Sequence, residues 1–198
     1  MPQTNSPTRA THDDAGAVGR ILARAFDDDP MMRWFFPAEA DRQAGLARYF
    51  TTMFTGLYLR HGLCERTGGA AAFWVPPQAR EAAVPDAETA GALQDILGDR
   101  APLFRAAVEA AGAHTPAEPH WYLALLGADP DVRGRGHGAA LLRSGLARAD
   151  AAALPVHLES SKPANIPVYT HFGFTVLGEF PLPGGGPPLW AMRRAAGG

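Results

Sequence analysis

Cysteine is nearly absent from this chain. Cys64 is the single example, which excludes an intrachain disulfide framework or a multi-cysteine zinc site and fits a reducing compartment. Lysine is as scarce, with Lys162 alone, and none lies near the glycine-rich stretch, so a GxxxxGK[ST] nucleotide loop is excluded. No HExxH occurs, and His12, His61, His114, His157 and His171 have no metal-ligand spacing, so no metal is expected. There is no excess of basic charge either: the net charge is −2. Arg133, Arg135 and His137 form the one tight basic cluster, too small a surface to track a duplex, so no nucleic-acid partner is expected. No apolar run approaches the roughly 20 residues of a membrane helix, and MPQTNSPTRATHDD lacks the basic-then-apolar profile of a secretion signal. The expectation is a cytoplasmic protein without a membrane partner.

What is present suits one globular domain, residues 1–198: the chain is 46% apolar, enough for a real core at this length. TRAT reads as a short strand. HDDAGAVGRILARAF carries acids in its first turn and Val18, Ile21, Leu22, Ala25 and Phe26 on one face, the pattern of an amphipathic helix. After the turn-like DDDP and MMRWFFP, helical spacing returns from about Ala40 to Leu59 with an aromatic stripe. GLCERTGGAAAFWVPP predicts two strands around a Gly-Gly turn, stopped by Pro76 and Pro77. Residues 85–112 are again helical. HWYLALLGA, PVHLESS, FTVLGEF and PPLWAMRR read as strands, and GAALLRSGLARADAAA and NIPVYTHF as helices. Alternation of this kind predicts an α/β fold, a mixed sheet of about six or seven strands flanked by helices.

Between HWYLALLGA and the following helix lies DPDVRGRGHGAALL. A glycine-rich loop opening a helix offers backbone N–H groups and the positive end of the helix dipole to an anion. Gly134, Gly136 and Ala139 also satisfy GxGxxG/A, and Glu159 stands about twenty residues on, where a dinucleotide-binding acid belongs. Against that reading, DPDVR separates the strand from Gly134, and the chain ends at Gly198, too soon for the rest of a doubly wound sheet. A plain strand-to-helix turn is the third reading.

The order strand, ADP, RGRGHG, helix, strand ending LESS, then Asn165, Tyr169, Gly173 and Phe174 resembles the GNAT (GCN5-related) N-acetyltransferase superfamily. Arg133, Gly136 and Gly138 match its pyrophosphate-binding pattern [QR]-x-x-G-x-[GA]. AFDDDP, FWVPP, the helices before HWYL and LESSKPANIPVYTHFGF are similar in layout to the branch that includes puromycin N-acetyltransferase. The resemblance implies a GNAT fold with a splayed strand pair, a helical insertion at 85–112 ahead of a cofactor-binding core at 119–178, and acetyl-CoA as the acetyl donor. It implies cofactor contacts at Leu126, Gly127 and Ala128 on the splayed strand, at Arg133, Gly134, Arg135, Gly136, His137, Gly138 and Ala139 in the loop, and at Asn165 and Tyr169. Lys162 stands where many members place an asparagine.

Acetyl transfer to an amine needs a polarised carbonyl, a deprotonated amine and an acid for the leaving thiolate. The resemblance assigns the acid to Tyr169, which otherwise reads as a half-buried packing tyrosine. Glu159, at a strand end facing the splay, is the leading base and His120 the reserve; both also have ordinary structural readings. Trp34, Phe35, Phe54 and Trp74 are candidates to line a pocket for an amine on an apolar body, or else are core. The expected reaction is direct attack on the thioester by a primary amine of a small molecule, Cys64 lying outside any nucleophile motif. A protein amine as acceptor, a non-catalytic acyl-CoA sensor and a homodimer stay open.

Overall fold

The structure, a computed structural model, describes residues 5–197. Strands β1 (Thr8–Arg9), β2 (Leu63–Arg66), β3 (Ala70–Val75), β4 (Trp121–Ala128), β5 (Val156–Ser160), β6 (Phe174–Pro181) and β7 (Pro188–Arg194) form one seven-stranded sheet in the order β1-β2-β3-β4-β5-β7-β6. All neighbours are antiparallel except β4 and β5. The mixed sheet flanked by helices is the GNAT architecture expected above.

Helices α1 (Ala15–Ala25), α2 (Pro30–Phe35) and α3 (Glu39–Met53) precede β2. MMRWFFP, given no state from sequence, becomes α2 because Asp29 caps it, accepting from the Met31 and Met32 amides at 3.0 and 3.1 Å with Pro30 in the first turn. The expected 40–59 helix is interrupted: α3 passes through a π-helical turn, Phe54–Tyr58, into α4 (Leu59–His61). The 85–112 stretch divides into α5 (Ala87–Leu97), capped by Asp86, and α6 (Ala101–Ala113), broken at Gly98 with φ +51°. Then α7 (His137–Ala151) joins β4 to β5, and α8 (Ile166–His171) joins β5 to β6.

Strand alternation sends side chains to two cores. On one face Ala71 and Phe73 share a core with α1, α3, the π-helical turn and α5 through Leu22, Phe50, Phe54 and Leu93. On the other, Ala72, Trp74, Leu123 and Leu158 pack with Leu141, Leu142 and Leu146 of α7. Gly145 lets this second layer close, because a Cβ there would stand 2.0 Å from the Trp74 ring.

One irregularity positions the site. Along β3 and β4 the register steps from Phe73↔Leu125 to Trp74↔Leu123, leaving Ala124 as an extra residue, a bulge that bends the strand. β4 and β5 are paired only at Trp121↔Val156 and Tyr122↔His157. Beyond Tyr122 the parallel pair parts, and β4 from Leu123 to Ala128 turns an unpaired edge toward β5.

Candidate active site

The wedge between β4 and β5 has a different surface on each face of the sheet. On the α5 and α6 face lies a cavity of about 790 Å³, walled by apolar side chains that include Leu57, Leu93, Leu97 and Phe104. Its polar groups include Tyr58, Arg80, Arg105, Tyr122 and Glu159. Tyr122, His157 and Glu159 share this face because Tyr122 and His157 are register partners in a parallel pair and Glu159 is two residues further along β5.

Glu159 is held at both oxygens: the Tyr122 hydroxyl donates to Oε2 and His157 Nε2 to Oε1, each at 2.7 Å. The His157 ring is fully buried and its Nδ1 has no partner among the described residues, so the proton belongs on Nε2, where it is bonded; an orphaned buried N–H is the rarer defect. Burial, then the charge of Glu159, pushes the Tyr122 hydroxyl well above its ordinary range, so it remains a donor. Tyr58 is also pushed up, by burial first, then Cys64 and Glu159. It ends the π-helical turn, an irregularity common at functional sites.

His120, the reserve base, is buried and not among the residues lining the cavity. Its Nδ1 lies 2.7 Å from the Glu118 carbonyl, an acceptor, and its Nε2 meets an Arg80 N–H, so one tautomer satisfies both contacts. Burial and the nearby Arg80 and His157 lower its pKa, against the Glu118 contacts. It therefore sits behind Arg80 and fixes that side chain. The four aromatic pocket candidates are likewise displaced. Phe35, Phe54 and Trp74 are buried in the two cores, Phe54 stacked on Phe73 and Trp74 against Gly145. Trp34 packs on Phe35 and over Gly186. None lines the cavity, because each is taken up in packing elsewhere; much of the wall is instead supplied by α5 and α6.

The other face of the wedge carries the glycine loop. Gly134 and Gly136 have φ of +78° and +85°, a backbone that side chains with a Cβ adopt at a cost. Gly136 caps α7, whose first intrahelical bond runs from the Ala140 amide to the Gly136 carbonyl. The amides of His137, Gly138 and Ala139 therefore precede the ladder and are available to an anion. A Cβ on Gly138 would meet nothing within 4 Å, so the approach is open.

Side chains in this loop differ from expectation. Arg133 is spent on the protein, donating to the Ala25 carbonyl at 2.9 Å and lying 3.7 Å from Asp28. His137 is buried, its Nδ1 2.9 Å from the Thr67 hydroxyl. Both hold the loop, leaving the backbone and the exposed Arg135 to face outward. Gly127 answers first to packing, since a Cβ there would come within 2.8 Å of Leu22 and 2.9 Å of Phe26; Leu126 and Ala128 flank it on the unpaired edge.

Tyr169 lies on the α7 and α8 side, packed on Phe174 with ring centroids 5.8 Å apart. Burial and the charge of Asp29 push its hydroxyl up to about 12. Asp29 meets the Ser161 hydroxyl, and Lys162 binds Asp28 at 2.5 Å, which ties the α1–α2 turn to the end of β5 beside Tyr169. Asn165 precedes α8 but makes no capping bond. No group of three potential metal ligands occurs among the described residues, and no helix there is long and apolar enough to cross a membrane.

Residues 95–174 match the family model described as "Acetyltransferase (GNAT) family". A Corynebacterium glutamicum protein described as "histone acetyltransferase HPA2 and related acetyltransferase" is 26% identical, with TM-score 0.75 over 98% of this chain and 97% of that one. Arylalkylamine N-acetyltransferase 2 from Aedes aegypti is 11% identical, with TM-score 0.55 over 96% and 97%. The ribosomal-protein-S18-alanine N-acetyltransferase from Escherichia coli is 15% identical, with TM-score 0.52 over 96% and 92%. At those identities the last two show likeness of fold alone. The matched segment contains the wedge and the loop, so residues 95–174 carry the pattern of the GNAT acetyltransferase family within a chain that is similar in fold to acetyltransferases of that kind.

Proposed function

We propose that the protein transfers acetyl from acetyl-CoA to a primary amine of a small molecule by direct attack. One observation carries this reading: Glu159 stands on the stretch of β5 that has parted from β4 while still paired with β7, and it also lines the cavity, so a carboxylate able to act as a base borders both the cavity and the β4–β5 wedge.

The residues present fit a coenzyme A thioester. Its pyrophosphate suits the amides of His137, Gly138 and Ala139 with Gly134, Gly136 and Arg135, and its amide-bearing arm suits the unpaired edge from Leu126 to Ala128, with Asn165 opposite. The thioester supplies an activated acetyl group. Glu159, oriented by Tyr122 and His157, takes the proton that the acceptor ammonium must lose before its lone pair can form the new C–N bond. A β4 amide stabilises charge growing on the thioester oxygen. As the C–S bond breaks, Tyr169 gives its proton to the departing sulfur. Base and acid thus lie on opposite faces of the sheet, joined through the wedge.

Thermal melting with acetyl-CoA, CoA, NADH and NADPH in parallel tests the assignment. Saturation at about a hundred times the dissociation constant stabilises by about 2.7 kcal/mol. The expected result is a shift with the two CoA compounds alone; a shift with NADH or NADPH alone overturns it.

A further inference from the structure

The cavity's charged groups are unusual for a site that receives a plain amine. Glu159 already has a hydrogen bond at each oxygen, whereas the two arginines on the wall, Arg80 and Arg105, have no carboxylate partner among the described residues. Arg60, Arg148 and Arg194, by contrast, each reach a carboxylate within 2.6 Å. Arg80 is half-buried, and among the described residues its side chain has one hydrogen-bond partner, the lone pair of His120 Nε2, although a guanidinium carries five N–H donors. A half-buried arginine with donors in hand facing an apolar cavity is a place for an anion.

Its placement is fixed relative to the base. The Arg80 guanidinium carbon lies 5.3 Å from the centroid of the Tyr122 ring, and the hydroxyl of that same ring binds Glu159. One aromatic side chain therefore carries a cation over its face and an anion at its end. A ligand with an amine at Glu159 and a carboxylate at Arg80 matches both, with the remaining wall of Leu57, Leu93, Leu97 and Phe104 left for an apolar group.

We propose that the acceptor is an amino acid, free or at the end of a larger conjugate, whose own carboxylate is bound by Arg80 and whose side chain is apolar. Arg105, exposed on α6, draws the carboxylate in at the mouth. This rests on the acetyl-transfer reading above and names its substrate class. A bare alkylamine or arylalkylamine would leave Arg80 unanswered.

The test compares matched pairs: phenylalanine with 2-phenylethylamine, and tryptophan with tryptamine. For each, kcat/KM is measured with saturating acetyl-CoA in the wild type, Arg80→Met, Arg80→Lys and Arg105→Met. Binding of N-acetylphenylalanine and N-acetyl-2-phenylethylamine in the presence of CoA is measured in parallel. The expected result is a preference of about tenfold or more for the carboxylate-bearing partner, as for a charge-assisted bond. Arg80→Met brings the ratio of kcat/KM between the acid and its decarboxylated partner to about one; Arg80→Lys restores part of that ratio; Arg105→Met raises KM for the acids. Equal or reversed preference in the wild type overturns the proposal. So does a preference unmoved by Arg80→Met, or failure of both acetylated ligands to bind while CoA does. A chain that binds no CoA fails at the earlier reading, and the proposal falls with it.

Discussion

The Tyr122 hydroxyl donates to Glu159 Oε2 at 2.7 Å, across the point where β4 and β5 cease to pair. The bond ties a carboxylate on the part of β5 that has left β4 to the last β4 residue paired with β5. Losing it frees the carboxylate to rotate without removing the base. Tyr122→Phe is therefore expected to lower kcat by about tenfold, with acceptor KM changed by less than about twofold, a split that steady-state kinetics reads directly.

Tyr169→Phe keeps the ring against Phe174 and removes only the proton. The expected outcome is a fall in kcat of about ten- to a hundredfold, with the acetyl-CoA melting shift retained. Because burial and Asp29 push the Tyr169 hydroxyl up from 10.0 to about 12, the acid stays protonated at ordinary assay pH. A wild-type kcat profile carries no alkaline limb from this group below pH 10.

Asp86 gives the cavity wall a pH dependence. It accepts from the Thr89 amide at 2.8 Å and pairs with Arg60 at 2.5 Å. Hydrogen bonds from Thr89, then Arg60, hold it down to about 2 from an ordinary 3.8. A depressed carboxylate contributes stability that is present above its unfolded value and lost as pH falls through the folded one. Amide protection in α5, taken relative to the intrinsic exchange rate at each pH, is expected to fall between pH 3.8 and about 2, and Asp86→Ala to remove that step by lowering protection at neutral pH.

Gly145 tests the packing of the cofactor face. Its Cβ position is occupied by the Trp74 indole, so Gly145→Ala forces two buried elements apart. The expected cost is about 1–3 kcal/mol, read as a lower melting temperature or denaturant midpoint. Gly138→Ala, whose Cβ meets open space, is expected to leave stability nearly unchanged and to weaken CoA binding.

The strand and helix order was legible because each element carries its own period and stop, as in LALLGADP and FWVPP. The glycine loop was legible because Gly134 and Gly136 bear a conformation that sequence marks. Glu159 stood out by its place near a strand end, and the structure sets it in the cavity wall. The cavity was not legible. Aromatic residues in MMRWFF and the α3 stripe drew attention, yet Phe35, Phe54 and Trp74 belong to interfaces, and hydrophobicity alone does not separate a core from a binding wall. Arg80 follows Pro76 and Pro77 with no local signal, and its role depends on His120, forty residues away. Tyr122 was recoverable: strand alternation and a parallel partner place it on the face of His157 and Glu159. The π-helical turn that presents Tyr58 leaves no mark in an otherwise continuous helical pattern.

The most direct test is amine-dependent release of CoA from acetyl-CoA, with the acetylated amine identified by mass, in the wild type and in Glu159→Gln. Saturable, amine-dependent turnover is expected in the wild type, falling by about a hundredfold to ten-thousandfold in the variant, with the acetyl-CoA melting shift unchanged. CoA release that ignores the amine, or turnover equal in the two proteins, would contradict the acetyl-transfer reading.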